Sequence, residues 1–369
     1  MSRMRLFMQR VGWPRVIIGL FFVLLVVASP LLGLKLTDVV SDVLRRWALF
    51  GILVLAMVPG VQSGIGLNFG VSLGIVAGLI GATTSIELAY RMGGPARPWT
   101  ELGIAFLVAI PVALIFGWAY GHLLNRVKGS EMTVSTYVGF SAVAFSKIYW
   151  AVLPVKSGTL IFPYGGEGMR NTISLEGTYG GLLSDPDVTA NQPGILKWMA
   201  FRIGGVSIPI GTILLFLFVC FLVWLFLRSK SGIALSAAGE NELFTRSNAI
   251  KVDSKRLQGT ILSTVLGAVG IIIYGQVYGF LQLYAAPLYM GFACVAAVLI
   301  GGATTRRATI VNVIIGTLLF QGILTTSLPV IQRLVPQGSR LSEVVRPIVS
   351  NGIILYALSK TKGGNQIEK

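Results

Sequence analysis

The chain has 369 residues, of which 54% are hydrophobic and only 12% are charged, and its mean hydropathy is +0.77. Soluble domains carry roughly twice that charged fraction, so the composition excludes an ordinary soluble enzyme and predicts a series of membrane spans. The net charge is +16, from 30 Lys and Arg against 14 Asp and Glu. Such an excess indicates either nucleic-acid binding or the basic cytoplasmic segments of a membrane protein, and the distribution of the charges decides between them.

Ten apolar stretches approach the length of about 20 residues that a helix needs to cross a bilayer. We therefore expect an all-α polytopic membrane protein with about ten transmembrane helices, some of them broken. The first stretch is long and has no clear cleavage site, so we interpret it as a retained helix and not as a signal peptide. The predicted spans are Val16–Leu34, Ala48–Gln62, Gly70–Tyr90, Leu102–Leu124, Met132–Leu153, Ser207–Leu227, Gly259–Phe280, Pro287–Ala303, Thr309–Leu328 and Pro347–Leu358.

The charges indicate an orientation in the membrane. With the N-terminus in the cytoplasm, both termini lie inside, and the inside segments hold 17 basic and five acidic residues. The outside segments then hold 11 basic and eight acidic residues, so most of the surplus charge is an orientation signal and nucleic acid is not an expected partner. We predict a cytoplasmic N-terminal segment (1–15), one transmembrane domain (16–359) and a cytoplasmic tail (360–369).

Two connecting segments are long. The outside segment 154–206 is rich in Gly, Pro and Asp, and we expect it to have structure of its own, including a short interfacial helix at "GILKWMAFRI". The inside segment 228–258 has charged flanks and an Ala-rich centre, which predicts one or two short helices because a structureless loop of this length is unusual. On composition alone, this inside segment could equally be a solvated connector.

A run of glycines follows an interrupted apolar stretch. Gly66, Gly70, Gly74 and Gly78 recur every four residues, which on a helix would place them on one face and favour close helix packing. The preceding letters "QSGIGLNFG" introduce polar residues and glycines, and irregular backbone at membrane depth is tolerated only inside protein or beside a water-filled cavity. The stretch therefore also fits a transport pathway. Its candidate pathway residues are Gln62, Ser63, Asn68 and Phe69.

Two glutamines in later spans join this candidate pathway. Gln276 and Gln321 can hydrogen-bond a neutral polyhydroxyl solute, although hydrogen bonding between helices is the simpler interpretation of each. Few ionisable groups lie in the spans, and Glu87 and Lys147 fall near their outer ends, where a charge costs less. The sequence has one histidine and no phosphate-binding loop motif, so we expect no catalytic, cofactor or metal site in this chain.

Three blocks of the sequence resemble bacterial permeases of the ribose type. "LVLAMVPGVQSGIGLNFGVSLGIVAG" resembles their segment around "GGIDLSVG", with Asn68 in place of the family's Asp. "SAAGENELFTRSNAIKVDSKR" resembles their cytoplasmic segment "ALGGNEAAARLSGINVNRVK", and "AAVLIGGAT" resembles "AAVVIGGTS". The order and spacing of the blocks also agree. The chain therefore resembles the permease subunit of a type II ABC importer, in the branched-chain amino acid and ribose permease superfamily.

The resemblance implies a transport subunit in the bacterial inner membrane that has no ATPase of its own. Its implied partners are ATP-binding cassette subunits, which use ATP and Mg²⁺, a second permease of the same or a homologous chain, and an extracytoplasmic solute-binding protein. The implied solute is small, neutral and polar, either a monosaccharide such as ribose or a nucleoside. A secondary transporter or facilitator that works alone on a similar solute is the alternative.

The resemblance also implies a role for the inside segment. Ser236–Asn248 corresponds to the coupling helix, which transmits the motion of the ATPase subunits to the permease. Its implied contact core is Gly239, Glu240, Asn241 and Arg246.

Overall fold

Helices form most of the computed structural model, which describes residues 13–93, 97–162, 168–187 and 198–334, together with two single residues further on. The helices are α1 (Trp13–Leu31), α2 (Leu36–Leu55), α3 (Met57–Gln62), α4 (Val71–Met92), α5 (Pro98–Arg126), α6 (Glu131–Val152), α7 (Ile210–Arg228), α8 (Lys230–Glu240), α9 (Glu242–Ser247), α10 (Val252–Tyr278), α11 (Ala286–Ile300) and α12 (Ile310–Leu334). The strands are β1 (Thr172–Ser174), β2 (Phe201–Ile203), β3 (Val206–Ile208) and β4 (Phe280–Gln282).

Five helices in the described part of the chain are long and apolar enough to cross a membrane, namely α4, α5, α7, α10 and α12. Two shorter apolar helices lie within α1 and α11. Each of the first nine predicted spans overlaps a helix, while the tenth span (347–358), apart from Ile348 and Gly352, and the tail 360–369 lie outside the described residues. The chain is thus a mainly helical polytopic membrane protein, and the count of ten spans stays a prediction.

The second predicted span is wrong in its bounds. We expected one helix over 48–62, but α2 begins at Leu36 and ends at Leu55, and α3 starts after a single intervening residue. The charged residues in the first half of α2 lower its hydropathy without preventing helix formation, so an apolar pattern misses that half. The interruption between α2 and α3 has a chemical cause. Pro59 has no N–H for the carbonyl of Leu55, and its ring would clash with that carbonyl in a continuous helix.

Glycines allow α4 to pack closely against two neighbouring helices. A Cβ atom on Gly74 would overlap the carbonyl oxygen of Thr264 in α10, and one on Gly78 would overlap Ile271 and the carbonyl of Ala268. Gly81, which the sequence analysis did not select, approaches the backbone of α5 in the same way. The backbones of these helices therefore meet with no side chain between them.

The prediction that all four selected glycines share one helix face is wrong. Gly66 and Gly70 precede the first residue of α4, and Gly66 has a positive φ of 83° that no helix contains. The four-residue spacing of the glycines therefore begins before the helix, in a segment whose backbone turns at Gly66. Only Gly74 and Gly78 lie on the helix face toward α10.

The helix bundle has two chemically different ends. One end, called the basic end, holds the turn between α5 and α6 together with α8 and α9, and it is rich in Lys and Arg. The other, called the loop end, holds the long connection between α6 and α7. Segments predicted on the same side of the membrane contact each other there, since β1 pairs with β4 and the backbone N–H groups of Lys156 and Ser157 donate to Glu87.

The long connection has structure of its own, as expected, but the end of the segment expected to form an interfacial helix forms a strand instead, and residues 194–197 of that segment lie outside the described residues. The residues Phe201–Ile203 of "GILKWMAFRI" form β2, which pairs antiparallel with β3. Gly204 and Gly205 form the two-residue turn between these strands, with φ values of 56° and 86°. A Gly-Gly pair adopts the positive φ angles that tight hairpin turns need, so the local turn chemistry favours a hairpin over a helix.

Substitution of Gly74 by Ala tests the close approach of α4 and α10. The added methyl group meets backbone atoms of α10, which cannot move independently, so we expect a loss of about 1–3 kcal/mol in the free energy of unfolding. Gly103→Ala is the matched control, since no atom lies within 4 Å of its added Cβ and Ala is the better helix former. Denaturant unfolding in detergent measures both, and equal stability of the two variants would contradict the packing.

Candidate functional site

A non-helical segment, Ser63–Gly70, separates α3 from α4 and is called the break. Gly64 and Gly66 have φ values of 82° and 83°, in the left-handed region that favours glycine, and they turn the chain sharply. Most residues of the break are buried among helices. The sequence analysis placed four candidate pathway residues in or beside this segment, and the structure keeps them together.

Asn68 connects the break to two long helices. Its Nδ2 donates to the Ser263 hydroxyl of α10 at 2.8 Å, and its Oδ1 accepts from the Tyr120 hydroxyl of α5 at 2.8 Å. Asn68 and Ser263 are fully buried, and Tyr120 is 3% exposed. In this conformation both ends of the Asn68 amide are used inside the protein, so the side chain stabilises the irregular backbone.

Gln62 joins the break to two other parts of the chain. Its Nε2 donates to the Ala308 carbonyl, just before α12, at 2.8 Å, and its Oε1 accepts from the Ser236 hydroxyl of α8 at 3.0 Å. The neighbouring Ser63 is buried, donates to the Gly60 carbonyl, and lies where any side chain on Gly259 of α10 would have to fit. A displacement of α8 would therefore act directly on Gln62.

Backbone contact reinforces this connection. A Cβ atom on Gly239, near the end of α8, would overlap the carbonyl oxygen of Gln62, and one on Gly64 would come within 2.9 Å of the Gly239 Cα. Two glycines thus face each other with no side chain between them. Close contact of this kind transmits small displacements because packed interiors are stiff.

A cavity of about 280 Å³ lies at this junction. Its lining includes Gly64 and Gly66 of the break, Gly239 of α8, Glu131 at the start of α6 and Arg306 after α11. The first two blocks of sequence that resemble ribose-type permeases and the residues that directly follow the third block therefore meet in space at the basic end of the bundle.

The segment Ser236–Asn248 is not one continuous helix. It begins inside α8, which ends at Glu240, and a new helix α9 starts after Asn241. The Asn241 side chain accepts a hydrogen bond from the Phe244 backbone N–H at 2.9 Å, which is the N-cap geometry that starts a helix. The extended backbone of Asn241 therefore produces a bend, and the expectation of a single coupling helix is wrong in this respect.

The bend exposes two apolar side chains that the sequence analysis did not select. Leu243 is 81% exposed and Phe244 is 62% exposed. They lie two or three positions after the selected residue Asn241, which is exposed, as is Glu240. Arg246 is exposed and donates to the Glu242 carboxylate at 2.5 Å. An apolar pair surrounded by charged side chains has the composition of a protein contact surface.

Ion pairs connect α9 to the neighbouring helices. Lys128, in the turn between α5 and α6, contacts Glu242 at 3.4 Å and Asp253 of α10 at 2.5 Å. Burial tends to raise the pKa of Glu242, but hydrogen bonds and charge from Arg246 and Lys128 outweigh it and lower the pKa below its ordinary value. Glu242 therefore stays ionised at neutral pH, and the attachment of α9 weakens only in acid.

A buried ion pair lies deeper at the same end. Arg256 of α10 and Glu131 of α6 approach to 2.5 Å, with side chains only 6% and 14% exposed. Removal of one partner from such a pair leaves an uncompensated buried charge, which is strongly destabilising. The pair holds the start of α6 against α10 beside the cavity. It was missed because its members are 125 positions apart in the sequence.

Phe69 and Gln276, two other candidate pathway residues, have different roles in the fold. Phe69, in the break, is 9% exposed and packs on the Phe292 ring of α11, with 5.2 Å between ring centroids. Gln276 is fully buried at the loop end, and in the amide orientation that satisfies both its oxygen and its nitrogen, the oxygen accepts from the backbone N–H groups of Leu182 and Leu183 at 2.7 and 2.8 Å. Gln276 therefore holds the long connection against α10.

The six candidate pathway residues do not form one site. Gln276 lies 13 positions after Ser263, the α10 partner of Asn68, which corresponds to about 20 Å along a helix. Gln321 lies in α12 and is 8% exposed. Gln62, Ser63, Asn68 and Phe69 are brought together, whereas Gln276 is at the opposite end of the bundle.

The comparison with known proteins gives one result for most of the chain. Residues 39–358 match the family model described as a branched-chain amino acid transport system permease component. No curated protein and no solved structure gave a significant match. The matched range contains the break, the segment 236–248 and the chain after α11, which are the parts that meet at the cavity.

Substitution of Tyr120 by Phe tests the stabilisation of the break. The Asn68 Oδ1 then stays buried without a donor, which costs about 1–3 kcal/mol. Tyr137→Phe on the neighbouring α6 is the matched control, because Tyr137 is 67% exposed and its hydroxyl remains accessible to solvent or lipid headgroups. Unfolding in detergent measures the difference. If Y120F were as stable as Y137F, Asn68 would not depend on this hydrogen bond.

Proposed function

Because the chain belongs to the branched-chain amino acid transport system permease family, we propose that it is the membrane subunit of a binding-protein-dependent importer for a small, neutral, polar solute. A permease of the ABC type works with ATPase subunits and other components of its transporter. The observation that carries the proposal is the contact between Gly239 of α8 and Gly64 of the break, which connects an exposed segment to irregular backbone inside the bundle.

The surface of α9 is suited to bind the ATPase subunits. Leu243 and Phe244 project from the basic end, and the charged groups of Glu240 and Arg246 lie beside them. Exposed apolar side chains on a bend are costly in water and gain free energy when a partner covers them. The charged neighbours add specificity for orientation more than affinity. We therefore assign Ser236–Asn248 as the coupling segment, with the apolar pair at its centre.

The coupling segment can transmit motion by direct contact. When an ATPase subunit displaces α9, α8 follows, because Asn241 alone separates the two helices. Gly239 then presses on the backbone of the break, and Ser236 moves the Gln62 side chain to which it is hydrogen-bonded. Since Asn68 holds the break through neutral hydrogen bonds, the segment can change partners at modest cost. Opening of a path beside Gln62, Ser63, Asn68 and Phe69 is the proposed response.

The proposed topology follows from the charges. The basic end faces the cytoplasm, the loop end faces outward toward a solute-binding protein, and the chain crosses the bacterial inner membrane about ten times with both termini inside. A second permease would complete the central path. Only 28% of the residues in the most apolar stretch of α5, and likewise of α7, are buried, so both helices offer surface to lipid or to that second permease.

The proposed solute is a monosaccharide or a nucleoside. Side chains near the break are amides, hydroxyls and an aromatic ring, and these groups bind neutral hydroxylated rings without requiring a charge. A thermal-shift screen of the partner solute-binding protein with sugars, nucleosides and branched-chain amino acids tests the class. Stabilisation by a sugar or nucleoside supports the proposal, and stabilisation by an amino acid alone would refute it.

Substitution of Phe244 by Asp tests the ATPase surface. A buried carboxylate in the contact would be costly, so we expect at least a tenfold loss of ATPase subunits that co-purify with the permease, and loss of uptake. Phe162→Asp is the matched control, because Phe162 is 47% exposed in the connection at the loop end. Absence of any co-purifying ATPase with the unmodified chain, and uptake driven by an ion gradient, would instead indicate a transporter that works alone.

Substitution of Gln62 by Met tests transmission from α8 to the break. Met has a similar volume but makes neither hydrogen bond, so we expect ATPase binding to persist while solute uptake per ATP hydrolysed falls several-fold. Gln258→Met is the matched control at the same end of the bundle, because Gln258 is exposed and its partners are Ser231 and Lys255. Unchanged coupling in reconstituted Q62M vesicles would show that Gln62 does not transmit the motion.

A further inference from the structure

One face of α7 is apolar and exposed along its length. The side chains on this face recur at helical spacing and are between 42% and 56% exposed, and they are Leu214, Leu217, Phe218, Phe221 and Leu225. Arg228, the last residue of α7, lies on the same face because a helix turns by about 100° per residue. An apolar face that is suited to lipid therefore ends in a cation at the basic end of the bundle.

An aromatic ring fixes the position of this cation. The Arg228 Cζ lies 4.4 Å from the centroid of the Trp224 ring, and the Trp224 ring stacks on Phe221 with 5.9 Å between centroids. Trp224 is 41% exposed, and exposed tryptophans of membrane proteins concentrate at the boundary between membrane and water. The guanidinium is thus held at the level of the lipid headgroups.

Two lysines add to the positive charge at this junction of α7 and α8. Lys230 is exposed and is the first residue of α8. The Lys255 ammonium of α10 donates to the Ser231 hydroxyl at 2.9 Å, which places it against the first turn of α8, and to the Gln258 Oε1 at 3.1 Å. Arg228, Lys230 and Lys255 are called the junction cluster.

The junction cluster has no acidic partner in the part of the chain that the structure describes. By contrast, Lys128, Arg246 and Arg256 at the same end each contact a carboxylate. Lys230 and Lys255 also lie at the start of α8, where the helix dipole disfavours a cation, and the first turn of α8 contains no acidic residue. The fold therefore concentrates positive charge here without neutralising it, which favours an anion from outside the chain.

We propose that the junction cluster binds the headgroup of an anionic phospholipid, such as phosphatidylglycerol, whose acyl chains lie along the exposed face of α7. The phosphate oxygens accept hydrogen bonds from the Arg228 guanidinium, whose planar set of donors matches a phosphate. Lys230 and Lys255 supply further positive charge, and the acyl chains contact Phe221 and Leu225. The proposal rests on the membrane class of the chain and does not depend on the solute or on an ATPase.

The net charge of the headgroup decides which lipid the site selects. Phosphatidylethanolamine has the same phosphate, but its ammonium group is repelled by the junction cluster. Each basic residue near an anionic membrane surface contributes about fivefold in affinity. Since three basic residues lie together, the site is expected to prefer phosphatidylglycerol by about tenfold or more.

The test is native mass spectrometry of the full chain in a non-ionic detergent, titrated with phosphatidylglycerol or with phosphatidylethanolamine of the same acyl chains. We expect phosphatidylglycerol to bind at least tenfold more tightly. Equal binding of the two lipids would overturn the proposal.

Substitution of Arg228 by Gln locates the site. We expect about fivefold weaker binding of phosphatidylglycerol, and a similar loss for Lys230→Gln. Arg307→Gln is the matched control, because Arg307 is also an exposed arginine at the basic end but follows α11. If R307Q weakened binding as much as R228Q, the lipid would respond only to the general charge of this end, and the proposed site would be wrong.

Substitution of Trp224 by Leu tests the placement of the headgroup. Leu keeps an apolar contact for the acyl chains but removes the ring that holds Arg228, so we expect several-fold weaker binding of phosphatidylglycerol. Phe218→Leu is the control, since it removes an exposed ring from the same face with no cation beside it. Unchanged binding by W224L would overturn this placement.

Two further outcomes distinguish the lipid from other anions. Glycerophosphoglycerol has the same headgroup without acyl chains, and we expect no measurable binding at concentrations that saturate the lipid. Binding of this compound as tight as that of phosphatidylglycerol would overturn the assignment to a lipid. If R228Q kept its affinity for phosphatidylglycerol but lost co-purifying ATPase subunits, the junction cluster would belong to a protein contact and the proposal would fail.

Discussion

The structure depends on one constraint: backbone that is not helical must find its hydrogen-bond partners inside the protein when it lies among apolar helices. The break meets this constraint with neutral side chains from distant parts of the sequence. Asn68 uses both ends of its amide, toward Tyr120 of α5 and Ser263 of α10. Gln62 likewise bridges α8 and the chain before α12. Helices α5, α8 and α10 and the chain before α12 are therefore arranged around a segment of eight residues.

The same constraint explains the distribution of small residues. Partners can reach the break only if the helices approach closely, and Gly74, Gly78 and Gly239 allow that approach because any Cβ atom there would overlap backbone. The two ends of the bundle use different chemistry. At the basic end, ion pairs such as that of Arg256 with Glu131 join helices, whereas at the loop end backbone N–H groups donate to Glu87 and Gln276.

The neutral hydrogen bonds and the buried ion pair differ in how much free energy it costs to open them. Neutral hydrogen bonds contribute about 1 kcal/mol each and can exchange partners, whereas a buried ion pair is costly to open. The break is held by the first kind, and the start of α6 is held against α10 by the second. A rearrangement that starts at α9 is therefore expected to alter the break before it separates α6 from α10. Under the proposed function, the exposed Leu243 and Phe244 would receive the motion of an ATPase subunit and the break would respond.

Composition and local pattern were sufficient for the membrane class and for the approximate positions of the helices that overlap the first nine predicted spans, because apolar length is a local property of the sequence. Local pattern also identified Asn68 and Gln62, since polar residues in an apolar stretch are conspicuous. Only the tertiary structure decided their partners and the bend at Asn241. Tyr120 and Ser263 are 52 and 195 positions from Asn68, and no local pattern encodes which distant side chain a folded helix will present.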